Sequence, residues 1–176
     1  GTSTLYNVPY VFNVEKLDVK RLERAINELV ARHESLRTSF ENRDGQIVQV
    51  INESVTMSVQ NLETSNPDSF IKPFDLSKAP LLRVGCYHNT VMVDLHHIIA
   101  DGSSAAVFFR ELNELYMGRE LKETVQYGEF AVTSSYTKED ADYWTREYDK
   151  VPALDLVTDF SRPETQTPPA LTAFDG

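Results

Sequence analysis

The stretch from Leu81 to Tyr116 constrains the fold most, because two strand-like segments lead directly into a helical one. Leu81 to Tyr87 and Thr90 to Ile98 are rich in Val, Leu and Met, which is typical of strands. The His88-Asn89 dipeptide between them predicts a hairpin. A helical pattern follows after the heptapeptide HHIIADG, His96 to Gly102. Because a sheet and a helix bury their apolar faces against each other, this stretch predicts a helix packed on a sheet.

Two long helices are predicted from the spacing of apolar residues. Asp18 caps the first helix, which reaches about His33. The second helix is capped by Asp101 or Ser103 and reaches about Tyr116. The apolar residues recur at intervals of three and four positions: Leu22, Ala25, Ile26, Leu29 and Val30 in the first helix, and Val107, Phe108, Leu112 and Leu115 in the second.

The remaining elements are predicted from local composition and turn residues. Strands are expected at Leu5–Val14, Leu36–Glu41, Ile47–Ile51 and Val55–Val59, and helices at Pro67–Ile71 and Thr137–Tyr148. Pro9 indicates that the first of these strands is bent or lies at a sheet edge. Arg43-Asp44-Gly45 predicts the turn of a second hairpin. From Val151 onward, four prolines disfavour regular structure.

Composition excludes several classes of function. The 17 basic residues are outnumbered by 27 acidic ones, giving a formal net charge of −10, which argues against a nucleic-acid partner. No apolar run is long enough to span a membrane, and the first ten residues are not a secretory signal. The single cysteine, Cys86, cannot form an internal disulfide. We therefore expect a globular cytoplasmic chain without a membrane or nucleic-acid partner.

The HHIIADG stretch carries the residues best suited to chemistry. Strand alternation predicts that His97 shares a face with Val91, Val93 and Leu95, and that His96 shares the other face with Met92 and Asp94. His97 then lies at a strand end beside a helix N-terminus, where open sites are often built. An imidazole titrates near neutrality and can take a proton from an attacking amine or hydroxyl. Asp101 lies close enough to support the loop electrostatically.

Plainer interpretations of these residues remain open at this point. A histidine pair at a strand end is often one core and one surface residue, and Asp-Gly is often only a helix cap. An HxxxD pattern is weak by itself, whereas the full HHxxxDG string is more specific. Zinc binding is disfavoured, because adjacent strand residues face opposite ways and no Cys/His cluster completes a site. The sequence contains no P-loop, GxGxxG or GxSxG motif.

Taken together, five motifs resemble those of the condensation domains of nonribosomal peptide synthetases, in the same order. They are RHESLRTSF (32–40), PFDLSKAPLLRVG (73–85), HHIIADG (96–102), YGEFAV (127–132), and DYW with the later DLVTDFSRP (155–163). The resemblance implies an α/β fold, a two-layer sandwich of a mixed sheet and helices like one lobe of chloramphenicol acetyltransferase. It implies that residues 1–160 are the N-terminal lobe and that 161–176 begin the inter-lobe linker, with the second lobe absent.

The resemblance also implies roles for individual residues. His97 would be catalytic, as a base on the acceptor amine or as the group that orients it. Gly102 would let the backbone approach the reacting thioester, for which a missing side chain is suited. His96 would be structural. Asp101 would hold the loop by pairing with Arg37, as a structural ion pair that is costly to break from one side.

The implied reaction forms an amide between a carrier-bound acyl or peptidyl thioester and the amine of a carrier-bound amino acid, with both residues in the L configuration. The partners would be donor and acceptor carrier proteins, and their phosphopantetheine arms would deliver the substrates. No bound cofactor or metal is expected. We expect the fragment alone to be inactive, because one lobe cannot orient two tethered substrates.

Two alternatives stay open. A related epimerization domain shares the HHxxxDG string but removes and returns an α-proton. A carrier-docking lobe without catalysis would bind and not turn over. Heterocyclizing relatives carry aspartate at the first histidine of the motif, so His96 argues against that class.

Overall fold

The computed structural model describes residues 3–133, 136–152, 157 and 159–160. The chain divides into two compact units, Gly1–Gln126 and Tyr127–Gly176. The expected inter-lobe linker over residues 161–176 lies outside the described residues, as does most of the DLVTDFSRP motif. Among the described residues, no helix is both long and apolar enough to cross a membrane.

Within the described residues, the first unit contains six strands, two α-helices and two short 3₁₀ turns. In chain order these are β1 (Asn7–Asn13), α1 (Val19–Arg32), a 3₁₀ turn (Glu34–Arg37), β2 (Thr38–Arg43), β3 (Gln46–Ile51), β4 (Gln60–Asn61), a 3₁₀ turn (Pro67–Ser69), β5 (Leu82–Tyr87), β6 (Thr90–His96) and α2 (Gly102–Tyr116). The main sheet has the order β1-β6-β5-β4, in which only β4 and β5 pair in parallel. This confirms the predicted α/β fold with a mixed sheet. The β2–β3 hairpin forms a separate two-stranded sheet.

The core lies between the main sheet and helices α1 and α2. It is formed by the predicted apolar stripe of α1, by Phe108 and Leu112 of α2, and by Leu82, Val84, Val91, Val93 and Leu95 of the central hairpin. All five apolar residues predicted for α1 are buried. Their burial supplies the main stabilisation of the unit, because removing apolar area from water is the largest favourable term in folding.

The central hairpin, formed by β5 and β6, is also covered on its second face. The missing side chain of Gly85 makes room for this packing. Gly85 pairs with Met92, which is buried. A Cβ atom at Gly85 would lie 2.9 Å from Cδ1 of Leu62 and 3.0 Å from Cε2 of Phe70. The segment that contains Leu62 and Phe70 therefore packs directly on the backbone of β5.

Helix and turn predictions agree closely with the structure. The Asp18 side chain accepts a hydrogen bond from the N–H of Arg21 and caps α1, and Asp101 rather than Ser103 caps α2. Asp44 and Gly45 have positive φ angles of 53° and 85°, as a tight hairpin turn requires. The β1 strand contains Pro9 and lies at the edge of the main sheet, which is one of the two alternatives predicted for it.

The strand predicted at Val55–Val59 was wrong, and the strand predicted from Leu36 was wrong in part. Val55–Val59 is irregular, because side chains of α1 satisfy its backbone: Asn27 bonds both the N–H and the carbonyl of Met57, and Glu23 accepts from the N–H of Val59. The strand predicted from Leu36 begins only at Thr38, since Leu36 is buried within a 3₁₀ turn.

The second unit contains α3 (Tyr127–Thr133) and α4 (Lys138–Tyr148). Thr137 and Asp140 form a reciprocal capping box at the start of α4, where the sequence predicted a helix. The rings of Trp144 and Tyr148 on α4 form a stacked pair with centroids 5.8 Å apart. Both side chains are exposed.

The close approach at Gly85 gives a stability prediction. Gly85→Val should lower the free energy of unfolding by about 1–3 kcal/mol, because the added carbons overlap Leu62 and Phe70. Urea denaturation of the two proteins measures the difference. Trimming the neighbour in Gly85→Val with Leu62→Ala should recover part of the loss, and a double variant no better than the sum of its parts would contradict the proposed overlap.

Candidate functional site

His97 lies at the end of the sheet with its side chain exposed. The β6 strand ends at His96, so the predicted alternation, which placed His97 on the face of Val91, Val93 and Leu95, does not extend to it. The N–H of His97 donates to the carbonyl of Tyr6 at 2.8 Å, which carries the pairing with the β1 side of the sheet one residue past the strand. The backbone of His97 is therefore fixed while its imidazole faces solvent.

His96 is half-buried and shapes the turn that follows it. Its ring lies close to those of Tyr6 and Phe74, with centroid distances of 6.1 and 6.0 Å. The N–H of Ile98 donates to Nδ1 of His96 at 3.1 Å. Burial lowers the pKa of His96, and the neighbouring His97 lowers it further. His96 is thus suited to act as a neutral acceptor that orders the turn.

Asp101 and Gly102 form the open N-terminus of α2. The carboxylate of Asp101 accepts hydrogen bonds from the N–H and the hydroxyl of Ser104, both at 2.8 Å. These bonds, led by the one from the backbone, lower the pKa of Asp101. Gly102 is exposed, and a Cβ atom there would meet nothing within 4 Å. The packing of the described chain therefore does not itself require glycine at this position.

The expected ion pair between Arg37 and Asp101 is not among the contacts of the described residues. Arg37 ends the 3₁₀ turn before β2, donates to the carbonyl of Asn52 at 2.6 Å, and lies 3.5 Å from the carboxylate of Glu34. Asp101 is instead engaged by the N-terminus of α2. The ion-pair prediction was wrong about the partner, because Arg37 satisfies the base of its own hairpin.

The family of the chain follows from a comparison with known proteins. The family model for the condensation domain matches residues 1–171. This chain belongs to the condensation-domain family. It is 43 % identical over 187 residues to tyrocidine synthase 3 of Brevibacillus parabrevis, covering 94 % of this chain and 3 % of that protein. It is 41 % identical over 196 residues to gramicidin S synthase 2 of Aneurinibacillus migulanus, covering 100 % and 4 %.

Solved structures with little sequence identity share the fold. The X-domain from teicoplanin biosynthesis gives a TM-score of 0.75 at 22 % identity, covering 93 % of this chain and 43 % of that one. The epimerization domain from the third module of tyrocidine synthetase B gives 0.72 at 19 %, covering 90 % and 43 %. The starter condensation domain of rhizomide synthetase gives 0.70 at 18 %, covering 86 % and 44 %. The chain thus spans less than half of these solved chains and a few per cent of the synthetases.

The chain also contains a cluster between α1 and α2 that sequence reasoning missed. Glu111 of α2 is buried and lies 2.7 Å from Nε2 of His33 and 3.0 Å from Nε of Arg32. Burial favours the protonated carboxyl, but the bonds to His33 and Arg32 outweigh it and lower the pKa of Glu111. The start of the RHESLRTSF motif therefore ties the end of α1 to α2, which gives His33 a structural place.

A second missed cluster lies beneath the histidines, around Asp94. Asp94 is fully buried on β6, accepts from Nδ2 of Asn7 at 2.7 Å and pairs with Nη1 of Arg83 at 3.0 Å. Burial raises the pKa of Asp94 to about 6, against the opposing effects of Asn7 and Arg83. The sequence did contain a sign of this cluster, namely one acidic residue inside the apolar run VMVDL.

Within the described residues, no three His, Cys, Asp or Glu side chains come together in a group that could hold a metal ion.

The separation of Arg37 from Asp101 can be tested by a double-mutant cycle in this chain. Asp101→Ala should lower the free energy of unfolding by about 1 kcal/mol, as the loss of a helix cap does. Its effect should add to that of Arg37→Ala within about 0.5 kcal/mol, because the two side chains have different partners. Urea denaturation of the four proteins measures the coupling. A coupling energy well above about 0.5 kcal/mol would contradict this prediction and indicate that Arg37 and Asp101 form an ion pair.

The raised pKa of Asp94 predicts a pH-dependent stability. The folded chain holds the proton up to about pH 6, whereas an unfolded aspartate loses it near its ordinary value of 3.8. The stability present below the unfolded value is therefore lost as pH rises through the folded one, by at most about 3 kcal/mol. Asp94→Asn cannot lose this proton, so its free energy of unfolding should rise relative to wild type between about pH 4 and 7.

The comparison needs urea denaturation of both proteins at several pH values, with Asp75→Asn as control. Bonds from Ser77 and Lys78 hold the pKa of the exposed Asp75 at about 2, so it is ionised whether the chain is folded or unfolded above about pH 5. Its difference from wild type should stay flat from about pH 5 to 7. A flat difference for Asp94→Asn as well would contradict the raised pKa.

Proposed function

We propose that this chain provides the histidine-bearing part of a condensation domain that forms an amide bond. The donor would be an acyl or peptidyl thioester on one carrier protein, and the acceptor the amine of an amino acid on another, both in the L configuration. One observation carries the proposal: the exposed imidazole of His97 stands on a backbone fixed to Tyr6, in the turn that leads to the open helix terminus at Gly102.

In the proposed reaction, the amine nitrogen attacks the thioester carbonyl carbon, the new C–N bond forms, and the C–S bond then breaks. His97 would accept the proton that the amine loses, or hold the amine in line with the carbonyl. The released thiolate of the phosphopantetheine arm then takes up a proton. The exposure of His97 supports this role, because a base must reach the proton that it removes.

The neighbouring residues would support His97 and admit the substrate. Gly102 leaves open space at the helix terminus, so the backbone there can approach a thioester. His96 and Asp101 would keep the turn in shape through their bonds to Ile98 and Ser104. Arg37 would support the base of the β2–β3 hairpin rather than Asp101 itself, because its contacts are with Asn52 and Glu34.

We further propose that residues 1–160 form the N-terminal lobe of the domain and that 161–176 begin the link to the second lobe. This chain covers 43–44 % of the two solved domains, which supports the proposal that it forms one of two lobes. The carriers, the second lobe and the other synthetase domains would be the partners, and the phosphopantetheine arm would arrive attached to the carrier. A single buried free cysteine is consistent with a reducing cytoplasm. Tested by itself, the chain should not turn over substrates, because one lobe leaves them unoriented.

The test is a histidine substitution in the complete synthetase that contains this domain. His97→Asn should lower the rate of amide formation between loaded carriers by about 100-fold or more, as the loss of a positioned base does. His88→Asn is the matched control: His88 has a positive φ of 50°, which asparagine tolerates, and it lies in the turn at the far end of β6. Product is measured by mass spectrometry after rapid quenching. Wild-type rates for His97→Asn would overturn the proposal.

A second candidate is epimerization, since the epimerization domain from tyrocidine synthetase B matches the fold as well as the starter condensation domain does. The two reactions differ in their products. A stereocentre inverted without chain growth, and lost in His97→Asn, would select epimerization. Carrier binding without any turnover, unchanged in His97→Asn, would select a docking lobe instead.

A further inference from the structure

The buried carboxylate of Asp94 lies two residues before His96, on the face of β6 opposite the helical core. Side chains from both neighbouring strands reach it. Arg83 stands directly across from Asp94 on β5, and Asn7 on β1 pairs in register with His96. Asp94 thus joins the three strands that meet beneath the histidine pair.

The same two partners also hold the loop that precedes β5. Nδ2 of Asn7 donates to the carbonyl of Lys72 at 3.0 Å, and the guanidinium of Arg83 donates to the same carbonyl and to that of Pro73. The guanidinium of Arg83 also lies 3.8 Å above the ring of Phe74. Asp94 therefore fixes a strand and a loop through two side chains.

Asn7 and Arg83 each connect Asp94 to a residue that contacts one of the two histidines. Through Asn7, Asp94 fixes the start of β1, where the preceding residue Tyr6 accepts from the N–H of His97 at 2.8 Å. Through Arg83, it fixes Phe74, whose ring meets that of His96 edge-on at 6.0 Å. The residues that touch His96 and His97 are thus neighbours of those that Asp94 binds.

We propose that Asp94 is a positioning residue, which with Asn7 and Arg83 fixes the backbone from which His97 reaches its substrate. The proposal rests on the proposed function of His97. A buried ion pair is weak support for stability, because desolvation of the two charges offsets their attraction. One oxygen of Asp94 and one of Asn7 are buried without a hydrogen-bond partner within the described chain, so the cluster is not arranged for maximal stability.

The first arm of the test observes the histidines directly and does not depend on catalysis. The chain has four histidines, so isotope-labelled histidine gives four sets of imidazole signals in an NMR spectrum, one for each residue. Asp94→Asn and Asn7→Ala should move the signals of His96 and His97 and leave those of His33 and His88 in place. Asp44→Asn, an equal charge change in an exposed hairpin turn, should move none of the four.

The second arm measures amide formation by the complete synthetase with each variant. At saturating loaded carriers the turnover rate should fall about tenfold or more for Asp94→Asn, because a misplaced base loses rate. The carrier concentration that gives half the maximal rate should stay unchanged. Asn7→Ala should likewise lower the turnover rate and leave the half-saturating carrier concentration unchanged. If Asp94→Asn fails to fold, Asn7→Ala provides the test, since it leaves the pair of Asp94 with Arg83 intact.

Unchanged signals of His96 and His97 in the folded variants, or unchanged turnover, would each overturn the positioning role. A rise in the half-saturating concentration without loss of turnover would also overturn it. Wild-type activity of His97→Asn would instead remove the proposed function, while the NMR comparison still decides whether Asp94 controls the geometry of the histidines.

Discussion

Antiparallel pairing of β6 with β1 on one side and β5 on the other runs over almost the whole strand. The N–H of His97 then bonds to Tyr6, which lies just before β1. A shift of one residue in this register would exchange the two faces of the strand, moving Val93 out of the core and Asp94 into it. The large free-energy penalty of that exchange fixes the register, and with it the direction in which His97 leaves the sheet. The other residues of the site are positioned relative to these three paired strands.

Features of the fold that depend on residues close in sequence were predictable. The stripe of α1 repeats at helical spacing, and Asp18 stands where the N-terminal N–H groups need an acceptor, so the start and the span of the helix followed from local chemistry. The turns at Asp44-Gly45 and His88-Asn89 were predictable for the same reason. The helix after the HHIIADG motif could be placed because Asp101 meets the same requirement there.

Features that depend on distant partners were not predictable. The Val55–Val59 segment has strand-like composition, yet Asn27, some 30 positions earlier, supplies the partners for the backbone of Met57. Asp94 could be assigned to a face of β6, but its partner Asn7 lies 87 positions away, so the sequence could not show what Asp94 binds. Arg37 was paired with Asp101 by family resemblance, whereas its position at the base of the β2–β3 hairpin offers it the carbonyl of Asn52. In each case tertiary packing chose among several chemically acceptable partners.

The two faces of β6 explain how the same paired strands can both stabilise the fold and position His97. The face toward α1 and α2 carries Val91, Val93 and Leu95 and supplies stability through apolar burial. The opposite face carries Asp94, whose ionised form burial disfavours, as the raised pKa indicates. A chain selected for stability alone would place an apolar residue there, since such replacements of buried ion pairs are often neutral or stabilising. The retained charge joins three strands and a loop directly below the exposed histidine, so the apolar face supports the fold while the charged face supports the site.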